Sequence, residues 1–138
     1  MKKHESIQTV LTSSPVTVQK GQKLSDVNVI LREHRIHHVP VLDHKTPVGI
    51  ITESDILRLI YDADNTDIRT QDSIIDQLHT LSSVMSTDLK TLPITATVKD
   101  AAEILSDSHF HSVMVLKDGE LAGIVTSTDI IRYLCKQF

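Results

Sequence analysis

The sequence predicts a mixed α/β (α+β) fold assembled from two copies of one β-α-β-β-α unit, each with a small mixed sheet. Three observations lead there. "GIITESDIL" at 49–57 returns 74 residues later as "GIVTSTDII" at 123–131, with Gly, Thr and Asp in the same places. The same offset, without a gap, sets His37, Val39, Val41 and Leu42 on His111, Val113, Val115 and Leu116, and runs from Val10 on Val84 to Arg58 on Arg132. Within each copy the apolar residues switch between the period of a strand and that of a helix. A register held over that length marks a tandem duplication.

The elements come in a fixed order. "PVTV" (15–18) is a short β-branched run and predicts a brief strand. "LSDVNVILREHR" (24–35) puts Leu24, Val27, Ile30 and Leu31 on one helical face. "HHVPVLD" and "PVGIIT" are apolar runs bounded by Pro, Asp and Gly, hence two strands; the links "DHKT" and "KDGE" are short enough for hairpins, and the second carries the Asp-Gly turn signal. "ESDILRLIY" closes the copy as a helix. A strand that returns through a helix to its sheet neighbour is parallel and right-handed, and the hairpin adds an antiparallel strand. Between the copies, Asp62, Asp64, Asp67 and Asp72 suggest a solvated joint, and "DSIIDQLHTL" (72–81) a helix leading into copy two. The expected organisation is residues 1–62 for copy one, 63–78 for the acidic joint and lead-in helix, and 79–138 for copy two. A copy of about 60 residues has a thin core. The twin is expected to cover its open sheet face around a pseudo-two-fold axis, the small sheets packed together with two equivalent clefts between the halves.

Composition narrows the function classes. The 138 residues carry 14 basic and 18 acidic groups, a net charge of −4, a poor match to nucleic acid or an anionic membrane surface. No apolar run approaches the roughly 18–20 residues that span a bilayer. "MKKHESIQTV" has two lysines but no apolar stretch of a signal peptide. The single cysteine, Cys135, cannot form an internal disulfide, and the expected compartment is the cytoplasm. Aromatic residues make up 3% and tryptophan is missing, against a base-stacking platform. There is neither a G-x-S-x-G nor a phosphate-binding P-loop sequence, so an enzyme is not expected.

Thr52 and Asp55, like Thr126 and Asp129, have the spacing of a capping box at a helix start. Such a box stabilises any helix and by itself says nothing of function. The duplicated pattern "PVTV…HHVPVLD…PVGIITESDIL", however, resembles a tandem pair of CBS domains over about residues 8–136. The resemblance implies a Bateman module, a non-catalytic regulatory unit that holds an adenosine-containing ligand (AMP, ADP, ATP or an S-adenosylmethionine-like compound) between its two copies. It also implies a homodimer and a separate effector protein, and no catalytic or metal site. In that family the closing-helix Asp accepts hydrogen bonds from the ribose hydroxyls, which gives this role to Asp55 and Asp129. A carboxylate suits a vicinal diol because it offers paired acceptors. Thr52 and Thr126 match a position near ribose and phosphate, and Ser54 and Thr128 a hydroxyl on the same turn. The adenine positions resemble Thr12, Thr17, Ile36 and His38 in copy one, and Ser86, Thr91, Phe110 and Ser112 in copy two. His37 and His111 match positions that face the cleft beside the phosphates. Copy two departs at Met114, where copy one has Pro40, and at Leu92-Pro93, where copy one has Val18-Gln19. The alternative reading is a CBS-type dimerisation or protein-interaction module without a physiological nucleotide. His34-x-x-His37-His38 invites a metal reading, but cysteines and carboxylates at ligand spacing are missing beside it.

Overall fold

The computed structural model of the protein describes residues 4–62 and 68–138. The chain forms two compact units: Val16–Asp88, and the residues through Pro15 together with Leu89–Phe138. Each repeat thus shares its unit with the segment that leads into the other repeat.

In the unit Val16–Asp88, β2 (Val18–Gln19), α1 (Leu24–His34), β3 (His38–Asp43), β4 (Thr46–Thr52) and α2 (Glu53–Asp62) realise the β-α-β-β-α order. β2 pairs parallel with β3, and β3 antiparallel with β4. α3 (Ile68–Leu78) and the one-turn α4 (Leu81–Val84) come next. Val18, Leu24, Val27, Val39, Val41, Ile51, Ile56, Ile75 and Leu81 form the core. In the second unit β5 (Thr91–Pro93), α5 (Val98–Leu105), β6 (Ser112–Lys117), β7 (Glu120–Thr126) and α6 (Ser127–Gln137) repeat the order, and β1 (Thr12–Ser13) extends the sheet antiparallel to β7. Its core joins Val115 and Val125 to Ala96, Ala101 and Ile7, which is fully buried and comes from the opposite end of the chain. Both units are small mixed sheets with helices, the α/β class expected.

The duplication extends to single hydrogen bonds. The Lys20 and Ile94 amides donate to the Leu42 and Leu116 carbonyls, each at 2.9 Å. The departure at Pro40 costs one rung: the Met114 amide donates to Lys90 O at 2.9 Å, and proline has no N–H to do so. β5 is accordingly one residue longer than β2, with the register unchanged. Pro93 loses nothing from the sheet, because its counterpart, the Gln19 amide, bonds the Gln22 side chain at 2.7 Å.

The lead-in segments differ from expectation. The helix expected over 72–81 ends at Leu78, because Thr80 starts a new turn: its Oγ1 accepts from the Ser83 amide at 3.2 Å. Leu78, the last residue of α3, is exposed. Asp64, Asp67 and the side chain of Asp62 lie outside the described residues. Asp72 is not a solvated joint residue: its Oδ1 accepts from Asn28 Nδ2 at 2.9 Å and Oδ2 lies 3.6 Å from Arg32. Asp76 one turn on accepts from the Ser25 amide at 3.0 Å, so two carboxylates dock α3 on α1.

Both lead-in segments pass close to a glycine of the hairpin, β1 at Gly123 and the bridge at Ser86 beside Gly49. Ile50 and Ser86 exchange both backbone bonds, 3.0 and 2.9 Å, as Thr12 pairs with Ile124. A Cβ on Gly49 would overlap the Met85 side chain, with Met85 Cγ at 2.7 Å. A Cβ on Gly123 would overlap the Leu11 side chain and lie 2.5 Å from the Thr12 carbonyl oxygen. A methionine side chain can turn away, whereas a paired backbone cannot. Gly123→Ala is therefore expected to destabilise the fold by about 2–3 kcal/mol and Gly49→Ala by about 1 kcal/mol or less, the scale of an overpacked site. Chemical denaturation of the two variants checks the order.

Candidate functional site

The candidate site residues sit where β4 and β7 hand over to α2 and α6. At the start of α6, Thr126 Oγ1 accepts from the Asp129 amide at 3.2 Å and Asp129 Oδ2 accepts from the Thr126 amide at 2.9 Å. At the start of α2 the same two bonds join Thr52 and Asp55 at 3.3 and 2.9 Å. Both acids therefore fold back on their own backbone through one oxygen. The other oxygen faces an arginine one turn on: Asp55 Oδ1 accepts from Arg58 at 3.1 Å, and Asp129 Oδ1 lies 3.6 Å from Arg132.

The carboxylate-to-amide bond is not special to these positions. Asp26 Oδ2 accepts from the Lys23 amide at 2.9 Å at the start of α1, and Asp100 Oδ2 from the Thr97 amide at 3.0 Å at the start of α5. Hydrogen bonds with the Thr97 backbone and side chain hold the Asp100 carboxyl below its usual range. Asp55 and Asp129 are set apart by the arginine three residues on; the equivalent positions after Asp26 and Asp100 are Val29 and Glu103. They are also half-buried, with side chains 21% and 13% exposed.

Around Thr52 and Asp55 the structure gathers His38, which pairs with Thr52 across the strands, and His37, whose carbonyl accepts from the Glu53 amide at 2.9 Å and whose Nδ1 meets Glu53 Oε2. Around Thr126 and Asp129 it gathers Ser112, paired with Thr126, and His111, whose carbonyl accepts from the Ser127 amide at 3.2 Å. Ser54 and Thr128 are exposed on the first turn of each helix. Ile36 packs on the core of its unit, and the Lys90 ammonium stands 4.7 Å over the Phe110 ring. Thr17 directly precedes β2, and Thr91 opens β5. Thr12 and Ser86 are exchanged relative to the grouping by copy: Thr12 lies on β7 with the second repeat, and Ser86 on β4 with the first, because each lead-in strand pairs beyond its own repeat. Among the described residues no group of three or more His, Cys, Asp or Glu side chains could hold a metal ion, and no helix is long and apolar enough to cross a membrane.

A hollow of about 330 Å³ opens beside Asp129, walled by Arg132, Tyr133 and Lys136 of α6 and by Glu5, Thr9 and Thr12 from the other chain end. Motif reading missed Tyr133 and Lys136. Their signal was present, since 129, 132, 133 and 136 share one helical face. On α2 a shallower hollow is lined by Ser54, Leu57, Arg58 and Tyr61.

Each capping box should be separable from any ligand role. Asp55→Ala and Asp129→Ala are each expected to cost about 1 kcal/mol of stability, the net value of a hydrogen bond. Asp→Asn, which keeps an acceptor for the threonine amide, should cost less than half of that. Thermal melts without ligand check both.

The CBS domain model matches residues 7–62 and 81–136. A Methanocaldococcus jannaschii protein, MJ1404, is 26% identical over 136 residues, covering 96% of this chain and 32% of that protein. Inosine-5'-monophosphate dehydrogenase of Staphylococcus aureus is 28% identical over 127 residues, 88% of this chain and 23% of the enzyme. The chain thus spans a third or less of the length of these relatives. Among solved structures, the CBS domain pair of protein MJ0100 in complex with 5'-methylthioadenosine and S-adenosyl-L-methionine superposes with a TM-score of 0.79 at 25% identity, over 98% of this chain and 99% of that one. The chain belongs to the CBS domain family and carries two tandem copies of the domain.

Proposed function

We propose that the protein is a non-catalytic regulatory module that binds an adenosine-containing ligand, of the AMP, ADP, ATP or S-adenosylmethionine kind. The observation that carries this reading is the second oxygen at each helix start: Oδ2 of Asp55 and Asp129 is committed to the backbone, while Oδ1, among the described residues, faces an exposed arginine head. That oxygen can accept from a ribose hydroxyl without dismantling the helix cap. Thr52, Ser54, Thr126 and Thr128 supply neighbouring hydroxyls, and His37, His38, His111 and Ser112 the adjoining strand starts. The structural likeness to a CBS pair holding 5'-methylthioadenosine and S-adenosyl-L-methionine supports the ligand class.

A second reading, a dimerisation or protein-interaction module, is favoured by α2. Leu57 and Tyr61, one turn apart, are 55% and 88% exposed, and Ile131 at the position equivalent to Leu57 is 60% exposed. Apolar side chains at that exposure suit a partner helix.

Thermal shift against AMP, ATP, S-adenosylmethionine and 5'-methylthioadenosine separates the readings. A ligand at about 100 times its Kd should raise the melting temperature by roughly 5–10 °C. The Asp55→Asn/Asp129→Asn double variant should lose most of that shift. No shift with any of the four, in a protein that runs as a dimer on sizing with light scattering, selects the second reading.

A further inference from the structure

The segment that opens the chain is seated in its unit much as a separate peptide would be. Residues through Pro15 belong to the unit completed by Leu89–Phe138, whereas the chain continues from them into Val16–Asp88. The seat has two stretches of paired backbone. The Ile7 amide donates to the Ala96 carbonyl at 3.0 Å and the Val98 amide to the Glu5 carbonyl at 2.8 Å, which sets Ser6 opposite Thr97. Further on, Thr12 and Ser13 pair with Ile124 and Gly123 of β7. Ile7 is fully buried among Ala96, Ala101, Val115 and Val125, and Val10 and Leu11 pack on the same cluster. A strand added to a sheet edge, with an apolar side chain as anchor, is also how sheets capture peptides from other chains.

The joint where this segment leaves its unit is strained. Ser14 has φ 50°, a left-handed backbone that residues with a side chain rarely adopt. Pro15 follows, and a residue before proline favours extended backbone. Asp88, the equivalent of Ser14 under the 74-residue offset, has no such φ. The lead-in that ends at Asp88 buries Leu81 where the opening segment buries Ile7, and it is continuous with the unit that holds it. Returning Ser14 to an extended backbone would carry residues 4–13 off their seat and leave Val16–Asp88 whole. The seat so vacated, an open edge of β7 and a hole the size of Ile7, fits the same segment of another copy. Short strained joints invite that exchange, because the swapped pair restores each of these bonds and relieves the joint.

We propose that residues 4–13 are an exchangeable element, and that the seat formed by residues 96–98 and β7 takes the opening segment of a second copy of this chain, giving a reciprocal swapped dimer with Ser14 as the hinge. This interface uses neither Leu57 nor Tyr61, so it is distinct from association through the exposed face of α2.

The test is cysteine trapping in the full chain, with Cys135→Ser removing the natural thiol. Ser6 and Thr97 are an antiparallel pair whose two hydrogen bonds run between their neighbours. Such pairs bring Cα atoms to about 4.5 Å, within reach of a disulfide. One chain carries Ser6→Cys and the other Thr97→Cys; the two are mixed at high concentration, warmed to just below melting, cooled and oxidised. The expected result is a disulfide heterodimer in at least about fivefold excess over that from Ser6→Cys mixed with Glu120→Cys, an exposed position of the same unit. Ser14→Gly, which relieves the left-handed strain, should cut the heterodimer by at least about half, and Ser14→Pro, which cannot reach φ 50°, should raise it about threefold. The melting temperature of Ser14→Gly should stay within about 3 °C of the parent, because relief of strain offsets the freer unfolded chain. Background trapping in both the parent and Ser14→Pro, or a yield indifferent to residue 14, overturns the proposal. So does a dimer in light scattering that gives no bond between positions 6 and 97.

Discussion

The structure depends on a close approach of a lead-in segment to each hairpin. In each unit the outer strand of the hairpin accepts a segment from elsewhere in the chain, a two-residue strand in one and a single bridge in the other, and the residue facing that segment has no Cβ. At Gly123 the neighbour is the Thr12 carbonyl, and at Gly49 it is the Met85 side chain. This contact brings Leu11 and Val10 onto the core around Val115 and Val125, and Val84 and Met85 onto the core around Val41 and Ile51. It also fixes the end of β7 and the end of β4, from which Thr126 and Thr52 open the closing helices. A glycine three residues before the cap threonine and the threonine-aspartate cap are thus one device: the first seats the lead-in segment, and the second turns the chain away from it.

The same device leaves the caps room for the second role proposed for them. Among the described residues, four helices start with an aspartate oxygen on the amide of the cap residue. A cap needs one carboxylate oxygen. The second is solvated at an ordinary helix start, and at α2 and α6 it is held near an arginine instead. An ion pair between a half-buried acid and an exposed arginine contributes little to stability, because solvent screens it. Its geometry nonetheless keeps an acceptor and a cation within one helical turn, which is the combination that a sugar diol and an anionic group require. The two repeats share this arrangement and diverge one turn further along the helix: Tyr133 and Lys136 stand where the first repeat has Leu59 and Asp62.

Much of this was legible in the residues themselves. The 74-residue offset located both hairpins and the helices beside them, whereas the strand expected over 15–18 starts only at Val18; Val39, Val41, Val113 and Val115 are buried as the period-2 runs require. The Asp-Gly turn is realised with Asp118 at φ 53° and Gly119 at φ 77°. The lead-in segments were not legible, for a physical reason. A two-residue strand such as Thr12–Ser13 carries too few residues to show a period, and its partner lies more than a hundred positions away, while the second lead-in segment makes a single bridge, from Ser86 to Ile50. Nor could the role of Asp72 be read from its acidic neighbours, since its partner Asn28 sits 44 positions upstream. Of the candidate site, the caps were readable from spacing alone. The exchange of Thr12 and Ser86 between repeats came only from the strand pairing.

The dispersed make-up of one unit bears on how the chain acquires its shape as it is made. Val16–Asp88 is continuous and can complete its contacts once that stretch has emerged from the ribosome. The other unit cannot, because Ile7 needs Ala96, Ala101 and Val125, and Thr12 needs Ile124. The segment through Pro15 must therefore wait, apolar side chains uncovered, until the segment around Ile124 has been made. A newborn chain stalled after residue 88 would hold one finished half and an orphaned leading arm, the kind of species that chaperones shield.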